Sequence, residues 1–200
     1  MIILDFDGTL VDLWPRYYAV FRDLTGYNNL KSKEYKLVKQ LLVTDDKVAD
    51  YLGISLQNDY FEQKREMLEK DKYLALDKLF FTERELALLT SLNPIILTNR
   101  RNIDNFYKQL SVLGIKCPAY VTNNKSKKNW ILENFPSQQG IIIGDSITDL
   151  EVATLPNMKA WMVGYGLQTR KLFKTTGISF NYIASPKDLI YFLSTKSHNL

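Results

Sequence analysis

Short apolar segments alternate with helical patterns over much of the chain. The apolar segments cover residues 2–6, 95–97, 119–121, 141–143 and 160–163. Segments this short, apolar on both faces, are typical of buried strands in a parallel sheet. Between them, apolar residues recur three and four positions apart, as in 103–113 before Gly114, which predicts helices. The pattern therefore predicts an α/β fold with a doubly wound, mostly parallel sheet.

The stretch from residue 13 to residue 92 has a different pattern. It shows helical spacing without a convincing strand, for example at Tyr35, Val38, Leu41 and Leu42. We interpret it as a helical insertion between the first strand and the remaining strands. The predicted domains are an α/β core formed by residues 1–12 and 93–200, and an inserted helical domain formed by residues 13–92.

Composition and charge narrow the class of protein. The 26 basic and 22 acidic residues give a net charge of +4, too small and too dispersed to indicate nucleic-acid binding. The apolar runs are too short to span a bilayer, and no export signal precedes the first strand, so we expect a cytoplasmic protein without a membrane partner. A single cysteine, Cys117, excludes an internal disulfide and fits this location.

The first candidate site is Asp5-Phe6-Asp7-Gly8-Thr9, at the end of the first predicted strand. The alternation of a strand places Asp5 and Asp7 on the same face. Two carboxylates this close repel each other unless a cation lies between them or one is protonated. The pair therefore indicates a divalent metal site, or a nucleophile beside an acid. A turn after an edge strand is the structural alternative.

A second acidic pair, Asp145 and Asp149, follows the apolar segment 141–143 and Gly144. If a helix begins near Thr148, Asp145 lies in the loop and Asp149 in the first helical turn. Both side chains would then face the same point beyond the edge of the sheet. Helix capping by Asp145, with Asp149 near the positive end of the helix dipole, explains the same residues without a function.

Two further segments carry groups suited to phosphate. Thr98 and Asn99 follow the strand predicted at 95–97 and could bind phosphate oxygens or cap the next helix. Lys125, Lys127 and Lys128 lie where a helix begins, although a helix dipole disfavours cations there, which indicates a negative group nearby. A solvated basic face is the alternative.

Taken together, these segments resemble the four motifs of the haloacid dehalogenase-like (HAD) superfamily. The matching segments are Asp5-Phe6-Asp7-Gly8-Thr9, Thr98, one lysine of 125–128, and Gly144-Asp145-Ser146-Ile147-Thr148-Asp149. The resemblance covers the whole chain and implies a Rossmann-like core with an inserted helical C1 cap, as in the branch similar to phosphoglycolate phosphatases. The family's Lys-Pro-x-Pro is absent here. Ser126 as helix cap and Ile131 one turn later favour Lys127 over Lys125 and Lys128.

The resemblance implies a Mg²⁺-dependent phosphatase that hydrolyses a small phosphorylated metabolite through an aspartyl-phosphate. Asp5 would be the nucleophile and Asp7 the general acid and base. Thr98, Asn99 and Lys127 would bind the phosphoryl group. Mg²⁺ would be held by Asp5, Asp7, Asp145 and Asp149.

Two other functions are compatible with the same motifs. A phosphotransferase or phosphomutase shares the core residues, although the histidine that a phosphomutase takes from its cap has no counterpart, because the only histidine is His198. A non-catalytic phosphate-binding regulatory module is the alternative outside the enzymes. The identity of the phosphomonoester and the oligomeric state are not encoded in the motifs.

Overall fold

The computed structural model describes residues 1–196, so His198 lies outside the described residues. The chain divides into two compact units, a sheet unit and a helical unit. The sheet unit combines residues 1–11 with the chain from residue 79 onward, and the helical unit is Asp12–Lys78. No helix among the described residues is long and apolar enough to cross a membrane.

The sheet unit is built on six parallel strands. The strands of the described chain are, in order, β1 (Ile2–Leu4), β2 (Val11–Asp12), β3 (Lys78–Leu79), β4 (Ile95–Thr98), β5 (Ala119–Val121), β6 (Gly140–Gly144), β7 (Met158–Val163) and β8 (Asn181–Ile183). The order in the sheet is β5-β4-β1-β6-β7-β8, and β2 pairs with β3 in a separate two-stranded sheet. Every neighbouring pair of the six-stranded sheet is parallel.

Helices connect the strands and form the helical unit. Those of the helical unit are α1 (Trp14–Thr25), α2 (Ser32–Leu42), α3 (Asp45–Leu52), α4 (Tyr60–Leu68) and α5 (Asp71–Leu74). Those of the sheet unit are α6 (Glu83–Ser91), α7 (Ile103–Val112), α8 (Lys127–Asn134), α9 (Ile147–Leu150), α10 (Arg170–Lys174) and α11 (Pro186–Lys196). A 3₁₀ turn, Glu151–Thr154, follows α9 directly.

Alternating residues of the central strands pack into two apolar clusters. Leu4, Ile96 and Ile143 belong to one cluster, and Ile3 and Ile142 belong to the other. Helices cover both faces of the sheet, which is why both sets of side chains are apolar. This arrangement confirms the predicted α/β class with a doubly wound, parallel sheet.

The connection order makes β1 the centre of the sheet. The chain passes from β1 to β4 and β5 on one side, and then to β6, β7 and β8 on the other. A crevice forms at the carboxyl ends of the strands where the order reverses, and ligands of open α/β sheets bind there. The residues that follow β1, β4 and β6 therefore meet at one edge.

A buried charged group lies within the helical unit. Asp45, at the start of α3, is 1% exposed. The Lys39 ammonium lies 2.7 Å from its Oδ1, and the Lys64 ammonium contacts Oδ2. The Tyr60 hydroxyl donates to Oδ2 at 2.8 Å. Burial acts to raise the pKa of Asp45, but Lys64 and Lys39 outweigh it and lower the pKa to about 2.

Several details differ from the sequence-based expectations. The helical unit ends at Lys78 rather than near residue 92, because α6 places Leu89 in the core of the sheet unit. The short strands β2 and β3, and the edge strand β8, were not expected. On α2, Tyr35 is buried but Leu41 is 80% exposed, so the buried face is narrower than its apolar pattern indicates.

Candidate active site

Asp5 follows β1 directly and lies at the central edge of the sheet. Its backbone N–H still donates to the carbonyl of Ile143 on β6, at 2.8 Å. The chain then turns, since the N–H groups of Leu10 and Val11 both donate to the carbonyl of Phe6. The Asp5 residue is buried, at 5% exposure, beside the end of β6.

The second acidic pair reaches the same place from β6. Asp145 follows Gly144, the last residue of β6, and its Oδ2 accepts the backbone N–H of Leu167 at 2.6 Å. Asp149 lies in the first turn of α9, where its Oδ2 accepts the N–H and the hydroxyl of Ser146, at 3.1 and 2.6 Å. The sequence spacing predicts this arrangement, with Asp145 in the loop and Asp149 on the first helical turn.

Lys127 is the first residue of α8, and the Ser126 hydroxyl caps that helix. Its side chain is 2% exposed, and its ammonium donates to Oδ1 of Asp5 and, at 2.6 Å, to Oδ1 of Asp149. Lys125 is half exposed and pairs with Glu133. Lys127 is therefore the lysine that the structure brings to the acidic residues.

We call Asp5, Asp145, Asp149 and Lys127 the carboxylate cluster, and its electrostatics favour an additional cation. Burial raises the pKa of Asp5 to about 7, although Lys127 acts in the opposite direction. Burial and the charges of Asp5 and Asp149 raise the pKa of Asp145 well above its usual range. Burial acts to lower the pKa of Lys127, but Asp149 and Asp5 outweigh it and raise that pKa. Three buried carboxylates beside one ammonium leave an excess of negative charge.

The donor set fits a hard divalent cation such as Mg²⁺. Asp5, Asp145 and Asp149 each offer a carboxylate oxygen, and these oxygens lie within 4.8 Å of one another. Carboxylate oxygens are the ligands that Mg²⁺ prefers. Gly8, at φ 83°, keeps the space beside them open, because a Cβ there would lie 1.9 Å from Oδ2 of Asp145. The residues present therefore suit Mg²⁺ in size, charge and chemistry.

The Asp7 carboxylate has a different partner from that of Asp5. Its Oδ2 accepts Nε of Arg100 at 2.6 Å, and its Oδ1 accepts Nη2 at 2.7 Å. The Asp7 side chain is 21% exposed, whereas the Arg100 side chain is 4% exposed. Asp5 and Asp7 are thus close in sequence but belong to two separate sets of contacts.

Thr98 and Asn99 lie at the end of β4, next to β1. The Thr98 side chain is buried, and its hydroxyl accepts the backbone N–H of Arg100 at 3.3 Å. Asn99 is exposed, and its Oδ1 accepts the hydroxyl of Thr122 at 2.9 Å. The sequence places both residues at the edge of the sheet that carries the carboxylate cluster, and the structure has them there.

Sequence reasoning missed Arg100 and the groups that orient the carboxylates. Arg100 stands directly after Thr98 and Asn99, and this position at a strand end is the signal that could have found it. The contact between Ser146 and Asp149 is a capping box, and the spacing Ser-x-x-Asp is the signal that could have found it. The contact of Asp145 with Leu167 carries no such signal, since a backbone N–H is present in almost any residue. The contact with Leu167 depends on the tertiary fold, because it joins positions 22 residues apart.

No protein-family model and no curated protein matches the chain. Solved structures match it over nearly its full length. A haloacid dehalogenase-like hydrolase from Streptococcus pneumoniae is 19% identical with a TM-score of 0.65, over 96% of this chain and 97% of that one. A predicted phosphoglycolate phosphatase from Haemophilus somnus is 17% identical with a TM-score of 0.62, over 96% of both chains. Protein Tyrosine Kinase A from Mycobacterium tuberculosis is 17% identical with a TM-score of 0.68, also over 96% of both.

Identities this low establish the architecture and leave the chemistry to be argued from the residues. The matches extend through the sheet unit and the helical unit of this chain, because they cover 96% of it. They confirm, at the level of the fold, the resemblance that the four motifs indicate. The chain has the fold of the haloacid dehalogenase-like hydrolases.

Proposed function

We propose that this protein is a Mg²⁺-dependent phosphatase that hydrolyses a small phosphomonoester through an aspartyl-phosphate on Asp5. The observation that carries the proposal is the carboxylate cluster, in which two acidic residues that follow β1 and β6 meet one acidic residue of α9 and one lysine of α8. Burying like charges together is costly for stability, so a functional reason for the cluster is favoured.

Asp5 is the carboxylate best suited to act as the nucleophile. Both oxygens of Asp149 accept hydrogen bonds of normal length, one from Lys127 and the other from Ser146. Oδ2 of Asp145 accepts the backbone N–H of Leu167. Asp5 accepts Lys127 at Oδ1, while its Oδ2 accepts only a long bond, 3.5 Å, from the hydroxyl of Thr9. Oδ2 of Asp5 is therefore less constrained than either oxygen of Asp149, and the ammonium of Lys127 donates to Asp5 itself.

The residues that would hold Mg²⁺ are Asp5, Asp145 and Asp149, together with the backbone carbonyl of Asp7. When bound, the metal neutralises negative charge and polarises a phosphoryl oxygen. Lys127 supplies a further positive charge next to Asp5. A phosphomonoester brings roughly two negative charges at neutral pH, so these positive charges are required before it can approach the carboxylates.

The reaction proceeds in two transfers on this chain's own groups. An oxygen of Asp5 forms a bond to phosphorus while the bond from phosphorus to the ester oxygen breaks, and Asp7 donates a proton to that oxygen. Asp7 then accepts a proton from a water molecule, which bonds to phosphorus as the bond to Asp5 breaks. The products are the alcohol and inorganic phosphate, and both aspartates return to their starting states.

Thr98, Asn99 and Lys127 bind the phosphoryl oxygens in this proposal. Thr98 and Asn99 follow β4, and Lys127 begins α8, so the three side chains approach from the strands on one side of β1. Hydroxyl, amide and ammonium donors stabilise charge that develops on phosphoryl oxygens during transfer. We further propose that the helical unit corresponds to the C1 cap and that the substrate is a small phosphorylated metabolite.

The experiment is release of phosphate from p-nitrophenyl phosphate by the full chain, with Mg²⁺ and with EDTA. We expect activity only with Mg²⁺, and its loss in Asp5→Asn with an unchanged circular dichroism spectrum. Asp104→Asn, at an exposed position on α7, is the matched control and should keep full activity. Substantial turnover by Asp5→Asn would disprove the nucleophile assignment, and an inactive native protein over a broad panel of phosphomonoesters would favour a binding module.

Phosphoryl transfer to an acceptor other than water is the second candidate. The observation that favours it is the similarity in fold to a protein described as a tyrosine kinase. Both functions share the aspartyl-phosphate on Asp5, and they differ in which nucleophile removes it. Incorporation of ¹⁸O from labelled water into the released phosphate distinguishes them, because a phosphotransferase passes the group to its acceptor without that oxygen.

A further inference from the structure

The strongest unassigned contact near the site is the ion pair between Arg100 and Asp7. Two parallel hydrogen bonds, at 2.6 and 2.7 Å, join the guanidinium fork to both carboxylate oxygens. This bidentate geometry fixes the plane of a carboxylate as well as its distance, which a single ammonium donor cannot do. The orientation of the Asp7 carboxylate is therefore defined by Arg100.

Arg100 is itself held by groups other than Asp7. Its Nη1 donates to Oε1 of Gln109, a buried residue of α7. Its guanidinium carbon lies 4.9 Å from the centre of the Phe6 ring, and its backbone N–H donates to the Thr98 hydroxyl. The Phe6 ring and the Gln109 side chain therefore hold the guanidinium group in place, and the guanidinium group in turn fixes the position of the Asp7 carboxylate.

The exposure of the two partners is unequal. The Arg100 side chain is 4% exposed and the Asp7 side chain 21% exposed. For an ion pair that only joined the segments after β1 and β4, replacement by apolar residues would often be neutral for stability. A buried arginine that holds an accessible carboxylate is the arrangement expected when the carboxylate must reach a substrate.

We propose that Arg100 is a positioning residue that orients the Asp7 carboxylate for proton transfer at the ester oxygen. This inference rests on the proposed phosphatase function and on Asp7 as its general acid and base. During the transfer one fork N–H keeps its bond to one Asp7 oxygen, while the other oxygen donates the proton to the ester oxygen as its bond to phosphorus breaks. Gln109 supports the same geometry through Arg100.

The test compares two substrates that have the same ring and differ in the basicity of their leaving group. The p-nitrophenolate ion leaves phosphorus without a proton, whereas the phenolate of phenyl phosphate needs one from a general acid. We expect Asp7→Asn to lower kcat/KM for phenyl phosphate about 10-fold or more relative to p-nitrophenyl phosphate, since general acids contribute at least that factor. Arg100→Met should shift this ratio in the same direction, and Arg101→Met, at the exposed neighbouring position, should leave it unchanged.

Further variants separate positioning from a structural role. A purely structural defect lowers kcat/KM for both substrates by the same factor and leaves the ratio as in the native protein. The double variant Asp7→Asn with Arg100→Met should show the ratio of Asp7→Asn alone, because Arg100 acts through Asp7. Gln109→Leu, which removes one of the contacts that hold Arg100 but keeps the guanidinium group itself, should shift the ratio by a smaller factor.

Arg100→Lys carries the test if Arg100→Met does not fold. It keeps the positive charge but has no planar fork, so we expect a folded protein with an altered ratio. This inference would be overturned if a folded Arg100→Lys or Arg100→Met kept the native ratio of kcat/KM for the two substrates while Asp7→Asn altered it. The proposed function would then remain intact. Absence of activity in the native protein would overturn the proposed function itself.

Discussion

Replacement of Lys127 by alanine should have opposite effects on catalysis and on stabilisation by metal. The ammonium of Lys127 contacts Asp5 and Asp149, and all three side chains are buried. The variant leaves three carboxylates, whose oxygens lie within 4.8 Å of one another, without their internal cation. Catalysis loses the charge that would face the phosphoryl group, while the site becomes more attractive to Mg²⁺.

The magnitudes follow from the distances. Two unit charges 4.8 Å apart repel by about 3.5 kcal/mol at an effective dielectric constant of about 20. Protonation of one carboxylate relieves part of this repulsion, so we expect the metal-free variant to lose about 3–5 kcal/mol in the free energy of unfolding, as for other broken buried pairs. The phosphatase rate should fall about 10²-fold or more, as when a donor to a developing charge is removed.

The sign of the pH dependence is fixed by the direction of the pKa shifts. Burial raises the pKa of Asp5 to about 7, and it also raises that of Asp145. A carboxyl group with a raised pKa in the folded state favours folding while it is protonated, below its unfolded pKa of about 4. That contribution is lost as the pH rises through the folded pKa. The metal-free Lys127→Ala protein should therefore lose most stability relative to the native protein above pH 7.

Urea unfolding of both proteins in EDTA and in Mg²⁺, at pH 5 and pH 8, measures these effects. We expect Mg²⁺ to raise the unfolding midpoint of Lys127→Ala more than that of the native protein. Lys125→Ala is the control from the same segment, because its ion pair with Glu133 is exposed and such pairs contribute about 0.2–1 kcal/mol. A larger loss of activity in Lys125→Ala than in Lys127→Ala would refute the assignment and transfer the role to Lys125.

Two further substitutions test the packing of the site and of the helical unit. Gly8→Ala should abolish stabilisation by Mg²⁺, because its Cβ would lie 1.9 Å from Oδ2 of Asp145. Gly26→Ala is the control, since it has a similar positive φ and no atom within 4 Å, and it should show only the backbone strain of about 1–2 kcal/mol. Equal Mg²⁺ binding by the two variants in calorimetric titration would contradict this reasoning. Asp45→Asn should lose about 3–5 kcal/mol in the free energy of urea unfolding at pH 7, because it leaves two lysine side chains, each only 11% exposed, without their carboxylate. The contribution of the Asp45 carboxylate to the stability of the native protein should be lost as the pH falls from about 4 toward 2, since the pKa of Asp45 is lowered to about 2. An unfolding midpoint of Asp45→Asn equal to that of the native protein at pH 7 would contradict this prediction.

Much of the fold could be predicted because its signals are local. Buried parallel strands need apolar residues on both faces, which marks β1, β4 and β6 directly in the sequence. The end of the helical unit could not be predicted, because α6 has the same amphipathic pattern as the helices before it. Only the position of its Leu89 in the core of the sheet unit distinguishes it from them. Assignment of a helix to one unit depends on tertiary contacts.

The candidate site was predictable to the extent that topology determines it. Residues that follow parallel strands meet at one edge, so the spacing alone indicates that Asp5, Asp145 and Asp149 come together. The choice among three lysines depended on a helix cap, and Ser126 does cap α8 so that Lys127 begins it. The contact between Arg100 and Asp7 joins positions 93 residues apart, and no periodic pattern predicts such a pair.

The separation of Asp5 from Asp7 is the feature that most favours two chemical roles for two nearby carboxylates. A strand continued through Asp7 would place both side chains on one face, where they would compete for the same cation. The chain instead turns after Asp5, so that Lys127 holds one carboxylate in a buried site and Arg100 holds the other in a more accessible one. Different surroundings suit neighbouring carboxylates to different roles: the buried one lies in the carboxylate cluster, and the more accessible one pairs with Arg100 and is open to a substrate.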